Sequence, residues 1–280
     1  MKILFLGGKR ILGKSIVNHL IKIKNLKLSI ASRIKPNYIK KKQDISFIKL
    51  NRKNYRNVKK ILKNKTFDII FDNNCYEFED FIKLYELIKK RNNFYFFTSS
   101  IISYLNFNKI RNEQSMKNKK TEILSKNLPK NLALNKRKIE NFLLNQNYLK
   151  FSILKMHNII GKKDHSNKTE YIKNFNRHTL KRLKINSSDF LQFAFIDDIV
   201  NIVVQLVNKK KAKKRISKIY NIANDYLSYK QLIKMNLNKE DNKLIKNEII
   251  KNVLVDNTRV KKSLNFKFTP HEKIMKLISY

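Results

Sequence analysis

A doubly wound α/β fold, with a mostly parallel sheet covered by helices on both faces, is predicted from three observations. Short apolar runs alternate with longer amphipathic stretches from the amino terminus to about residue 160. Most of these runs are apolar at consecutive positions, as strands buried on both faces must be. The 280-residue chain also has only four glycines, and Gly7, Gly8 and Gly13 fall together directly after the first run. In so glycine-poor a chain, a residue without a side chain marks a place where no side chain fits.

Taken in order, Lys2–Leu6 is the first expected strand and leads straight into the glycines. From about Lys14 to Lys24, the apolar residues Ile16, Val17, Leu20 and Ile21 recur at helical spacing. Further strands are expected at Leu26–Ala31, Ile45–Leu50, Phe67–Phe71, Phe94–Phe97 and Phe151–Leu154, with helices near Tyr55–Lys63, Glu77–Lys90 and Asn131–Asn145. Beyond Ile160 the rhythm weakens, and the polar stretch Lys162–Asp189 reads as a lid or small lobe. Ala194–Ile196 reads as a strand, with Asp197-Asp198 supplying the N-cap of a helix over Ile199–Val207. Ile219–Ala223 is one more strand, and the tail from about Ser228 to Tyr280 reads as mostly helical.

Composition excludes several classes. The single cysteine, Cys75, rules out an intrachain disulfide framework and a multi-cysteine zinc site. His157, Asp164 and His165 follow the sixth strand without a metal-ligand partner set, so they read as loop or lobe residues and no metal is expected. The start MKILFLGGKRILGK is neither a signal peptide nor a membrane span, and no later segment reaches about 18 uninterrupted apolar residues. A soluble, cytoplasmic chain without a membrane partner is the expectation. The formal net charge of +42 permits a polyanion partner. Yet the bases are 52 Lys against 11 Arg, spread along the whole chain, whereas a phosphate groove favours clustered Arg. Drift in an AT-rich genome is the favoured account of the charge, and a nucleic-acid partner is the less favoured one.

The turn Gly7-Gly8-Lys9-Arg10-Ile11-Leu12-Gly13 carries the functional signal. A Rossmann-type turn needs glycine for a tight reversal, for close backbone approach to a diphosphate, and for close packing of helix on strand. The helix start then adds its partial positive charge. Gly7 and Gly13 stand at the first and last positions of G-x-x-G-x-x-G, with Arg10 in the middle. The turn follows an expected strand and opens an expected helix, which is the context the motif requires. The expected ligand is NAD(P). The second strand ends at Ala31-Ser32-Arg33, and Arg33 suits a ribose 2′-phosphate, so NADP is mildly favoured. Residues 1–160 would form the NAD(P)-binding Rossmann domain, with 190–225 returning to it, while 161–189 and 226–280 would build a smaller substrate lobe.

Several segments resemble the NAD-dependent epimerase/dehydratase family, the extended branch of the short-chain dehydrogenases/reductases. Gly7–Gly13 resembles a turn of its atypical members, in which Arg replaces the middle glycine. The segment Phe67–Tyr76 resembles the fourth strand, with Asn73 and Asn74 at its cofactor-facing end. Phe97–Tyr104 resembles the fifth-strand segment, which makes Ser100 the catalytic Ser/Thr. Phe195–Ile199 resembles the element behind the substrate site, and Asp256–Arg259 with Leu264–Phe266 the C-terminal signature. The resemblance implies a Tyr acid/base and a Lys four residues later that lowers its pKa and holds the nicotinamide ribose. On the helix Asn131–Glu140, Lys136 and Glu140 fall where the family has Lys and Glu, but the Tyr position is Leu132, which carries no proton. Tyr104 is open as a substitute, although an aromatic in that place more commonly packs.

What the resemblance implies is an NAD(P)-dependent epimerase, dehydratase or reductase acting on a small molecule, a nucleotide-linked sugar being the commonest class. The alternative is a catalytically degenerate NAD(P)-binding protein with an RNA-binding or regulatory role. A homodimer is compatible with either.

Overall fold

The structure is a computed structural model that describes residues 1–39, 45–63, 65–104, 111–113, 130–162, 164, 167–236 and 253–279. Its first half comprises β1 (Lys2–Leu6), α1 (Ile11–Leu20), β2 (Lys27–Ser32), β3 (Ile45–Lys49), α2 (Tyr55–Leu62), β4 (Ile69–Asp72), α3 (Phe78–Ile88), β5 (Phe94–Ser100), α4 (Lys130–Asn145) and β6 (Lys150–Met156). The second half adds β7 (Ile159–Ile160), α5 (Asn167–Asn174), α6 (Arg177–Arg182), β8 (Phe190–Leu191), β9 (Ala194–Phe195), α7 (Ile196–Lys211), β10 (Ile219–Ile222), β11 (Leu227–Ser228), α8 (Tyr229–Met235), α9 (Thr258–Leu264) and α10 (His271–Ser279).

Seven strands form one sheet in the order β3-β2-β1-β4-β5-β6-β10, and every neighbouring pair is parallel. This is the doubly wound sheet the sequence predicts. The order reverses between β1 and β4, and open α/β sheets bind ligands at the strand ends beside such a switch. Consecutive residues face opposite sides. Ile3, Phe5, Phe71 and Phe96 pack with α1 and α7, whereas Leu4, Ile70, Tyr95 and Phe97 pack with α2, α3 and α4. A third apolar cluster lies apart from the sheet and joins α5, Leu191, Phe193, Phe195, α8 and α10. Among the described residues no helix is long and apolar enough to cross a membrane.

Three expected boundaries need correction. The helix expected from about Lys14 begins at Ile11, so Ile11, Leu12 and Gly13 form its first turn. The strand expected to end at Phe97 continues through Thr98, Ser99 and Ser100, which keep their parallel pairing with β6 although the residues are polar. Asp197 and Asp198 do not precede their helix: it starts at Ile196 behind Phe195, with both acids in its first turn. There they face the positive end of the helix dipole. Asp198 instead accepts from Asn224 Nδ2 and from Thr269 Oγ1, each at 2.7 Å, tying α7 to the carboxyl-terminal segment. In the tail, α8, α9 and α10 are helical, while 237–252 and Tyr280 lie outside the described residues, as does His165.

Candidate active site

Because all seven strands are parallel, their carboxyl ends gather the polar residues of different segments along one edge. At the end of β1, Gly7 has φ +92°, a conformation side chains rarely adopt, and its amide donates to the Ala31 carbonyl at 3.1 Å. A Cβ there would come within 2.7 Å of Asn74. At Gly13 a Cβ would lie 2.5 Å from the Gly7 carbonyl oxygen, so the helix can approach the strand only as glycine. Gly8 is buried beneath Tyr38, whose hydroxyl donates to the Gly8 carbonyl at 2.5 Å.

Arg10 is the N-cap of α1 and gives it no side-chain hydrogen bond, and the first turn holds no acidic residue. Lys9, Arg10 and Lys14 are exposed around it, Ile11 is half-buried, and Leu12 enters the core. A helix start so arranged suits an anion, because its first amides and its dipole both favour negative charge. At the end of the neighbouring β2, Ser32 Oγ donates to the Ile34 carbonyl at 2.6 Å and Arg33 is exposed.

After β4, Asn73 and Asn74 pack directly on the glycine turn, with Asn73 Nδ2 donating to the Gly7 carbonyl at 3.4 Å. The Oδ1 atoms of both, and Thr98 Oγ1 on β5, are buried without a partner. Bare acceptors at that edge suit donors such as ribose hydroxyls. Glycine turn, uncapped helix start and orphaned acceptors together fit a dinucleotide. Asp72, immediately before these asparagines, is fully buried and accepts from Arg52 Nη2 and from the Tyr95 hydroxyl, both at 2.6 Å.

On α4, Lys136 is buried and donates to the Thr98 carbonyl at 2.6 Å, and burial lowers its pKa to about 8. Its Nζ lies 4.6 Å from the centroid of the Phe97 ring and 5.4 Å from that of Tyr76. Leu132 is half-buried one turn earlier, on the face that carries Lys136. Ser100 ends β5, half-buried, and its Oγ accepts from the Ile102 amide at 3.4 Å. Glu140, one turn after Lys136, is fully buried and accepts from Ser99 Oγ, from Ser103 Oγ at 2.8 Å, and from Lys155 Nζ at 2.9 Å. Burial lowers the Lys155 pKa to about 8 against the pull of Glu140. Tyr104 packs: it is buried, donates to Asn221 Oδ1 at 2.6 Å, and burial pushes its phenol well above its ordinary pKa. A phenol so held is poorly placed to move a proton.

Sequence reasoning overlooked Tyr38, Arg52, Asp72, Thr98, Ser99 and Lys155. Two of these had a visible signal. Asp72 directly follows the apolar run Ile69-Ile70-Phe71, and Lys155 directly follows the expected strand Phe151–Leu154 and precedes Met156; a charge at the buried end of such a strand needs a partner.

No protein-family model matches this sequence, and no curated protein matches it. Solved structures do resemble its fold along nearly the whole chain. UDP-glucose 4-epimerase from Thermotoga maritima, solved with UDP-glucose, superposes with a TM-score of 0.74 at 16% identity, covering 99% of this chain and 97% of that one. The enzyme WbmG of Bordetella bronchiseptica, in complex with NAD, gives 0.73 at 11% identity, covering 100% and 93%. A monomeric L-threonine 3-dehydrogenase from a metagenome gives 0.70 at 14%, covering 99% and 97%. The fold is therefore the Rossmann-like α/β fold of NAD-dependent epimerases and dehydrogenases.

Proposed function

We propose that this chain is an NAD(P)-dependent enzyme of the epimerase, dehydratase or reductase kind, acting on a small molecule such as a nucleotide-linked sugar. The observation that carries the reading is the start of α1: a glycine-lined, uncapped and acid-free helix terminus at the switch point of the sheet. The diphosphate would rest on Gly7–Gly13, with Asn73 and Asn74 beneath it. Lys136 would hold the nicotinamide ribose, and Ser100 would orient a substrate oxygen. Bound NAD(P) supplies a hydride acceptor or donor. Arg33, exposed at the end of β2, favours NADP mildly. The substrate would lie between the strand ends and the lobe built from 161–189 and 226–280. Resemblance in fold to enzymes solved with UDP-glucose or NAD supports this assignment.

The test is thermal unfolding with NAD+, NADH, NADP+ and NADPH in turn. A ligand at one hundred times its Kd stabilises by about 2.7 kcal/mol, so one dinucleotide should raise Tm by several degrees. No shift with any of the four at millimolar concentration, in protein shown to be free of bound dinucleotide, overturns the assignment.

Leu132 favours a second reading, in which the chain binds NAD(P) but has lost the proton chemistry. Leu132→Tyr should create or raise hydride transfer if Ser100 and Lys136 stand where the reading places them; no gain while dinucleotide still binds would show that position 132 is not the place of the acid/base.

A further inference from the structure

We propose that Tyr38 is a positioning residue for the glycine turn. Its hydroxyl holds the Gly8–Lys9 peptide with the oxygen turned inward and the amide outward, and so sets how tightly the turn takes a dinucleotide diphosphate. The proposal rests on the NAD(P)-dependent reading above.

A turn that receives an anion must show it N–H groups and hide its carbonyl oxygens, because an oxygen aimed at a phosphate repels it. Glycine makes that arrangement possible and also insecure. With no Cβ, the peptide beside a glycine is free to rotate by half a turn, which exchanges N–H for C=O. A group from outside the turn has to fix it. For Gly8 that group is Tyr38, whose hydroxyl donates to the carbonyl at 2.5 Å. The peptide is planar and trans, so tying its oxygen toward Tyr38 turns the Lys9 N–H to the opposite side. For Gly7 the tie is Asn73 Nδ2, 3.4 Å from the carbonyl oxygen. Two segments, one after β2 and one after β4, thus each hold one carbonyl of the turn.

Tyr38 is itself held. Its ring packs on the core cluster that contains Val17 and Ile30, with Lys14 Nζ 5.5 Å from the ring centroid. The turn that carries it is closed by the Ile39 amide on the Pro36 carbonyl at 3.2 Å, and Ile39 is buried. Burial raises the phenol to about 12, so the hydroxyl keeps the proton it donates across the neutral range. A Cβ on Gly8 would come within 2.8 Å of that hydroxyl and 3.0 Å of Ile30. Position 8 is therefore glycine for a reason separate from those of Gly7 and Gly13: it admits the latch.

Glycine precedes lysine only at Gly8-Lys9, Gly13-Lys14 and Gly161-Lys162. Labelling the full chain with carbonyl-13C glycine and 15N lysine therefore reduces its carbonyl-correlated amide spectrum to those lysines. Saturating dinucleotide should move the Lys9 signal downfield and leave Lys162 in place. Tyr38→Phe keeps the ring and deletes the hydroxyl. It should weaken dinucleotide binding in calorimetry by about fivefold, the scale of one hydrogen bond. It should also broaden or split the ligand-free Lys9 signal, with Lys162 again the control. Wild-type affinity in the folded variant overturns the proposal even if Tm falls, because a hydroxyl that serves folding alone leaves the affinity of folded molecules untouched. A Lys9 signal that stays single and sharp in the variant overturns it too. Should the variant not fold, the wild type decides: a Lys9 signal indifferent to saturating dinucleotide overturns the proposal. If no dinucleotide binds the wild type, the functional assignment fails instead, and the ligand-free Lys9 signal of the variant still reads the latch.

Discussion

His157 follows β6 and is buried with both ring nitrogens engaged: Nε2 with the Val253 carbonyl and Nδ1 with the Asn158 amide, each at 2.7 Å. That pattern suits the neutral ring, with Nε2 donating and Nδ1 accepting. Burial lowers its pKa to about 4. The unfolded chain takes up the proton near pH 6.5, so acid favours unfolding. The contribution is fully present above about pH 6.5 and is lost as pH falls toward 4, amounting to about 3 kcal/mol at most. Urea midpoints should therefore hold steady from pH 8 to 7 and decline below 6.5, and His157→Gln should flatten that decline. An equally steep decline in the variant would refute the assignment. From sequence, His157 is only a loop residue after the sixth strand, because its partner stands 96 positions away. Tyr104 is similar, with its partner Asn221 at a separation of 117. Gly13 is the opposite case: a Cβ there would meet Gly7 and Gly8 of its own turn, so the chain writes it locally, while Gly7 is required both by its positive φ in that turn and by Asn74 from a distant segment.

At the scale of elements, β5, β6 and α4 are fastened by one buried polar knot of Ser99, Ser103, Glu140 and Lys155. Both charges of the Lys155–Glu140 pair are fully buried. Removing one member strands the other, which costs about 3–5 kcal/mol, whereas replacing both with apolar residues is often nearly neutral. Glu140→Gln should thus lower the urea midpoint sharply, and Glu140→Leu with Lys155→Met should recover much of the loss. Equal losses in the single and double variants would show that the ion pair is not the coupling. The knot also explains where element reading from sequence stopped short. Apolar runs and helical spacing locate the strands and helices of the sheet, but they end β5 at Phe97 because Thr-Ser-Ser carries no apolar signal. What continues the strand is its pairing with β6 and Ser99's bond to Glu140, neither of which is a local property. The same reading put Asp197 and Asp198 ahead of α7, where capping is the commoner use of an acid; Asn224 and Thr269 draw Asp198 inside the helix instead.

At the scale of the whole molecule, an excess of 42 positive charges on 280 residues presses the folded chain apart. The densest basic run, 209–215, is partly turned to internal work. Lys209 donates to the Ser263 carbonyl, Lys211 to the Lys24 carbonyl at 2.9 Å, and Lys210 stands 5.4 Å from the Phe94 ring centroid. Lys136 and Lys155 are buried. These five lysines are engaged within the fold; we propose genomic drift, rather than a dedicated RNA surface, as the origin of the remaining excess. Drifted charge has a measurable consequence. Raising salt from 0.01 to 0.15 M shrinks the Debye length from about 30 to about 8 Å, so Tm should climb steeply over that range. Heparin and RNA of unrelated sequence should stabilise the fold alike, with affinities that collapse together as salt rises. A Tm indifferent to salt would contradict self-repulsion across the surface. A single RNA that outcompetes heparin at 0.15 M would contradict drift, because only a surface shaped for that RNA can prefer it over an equally charged chain.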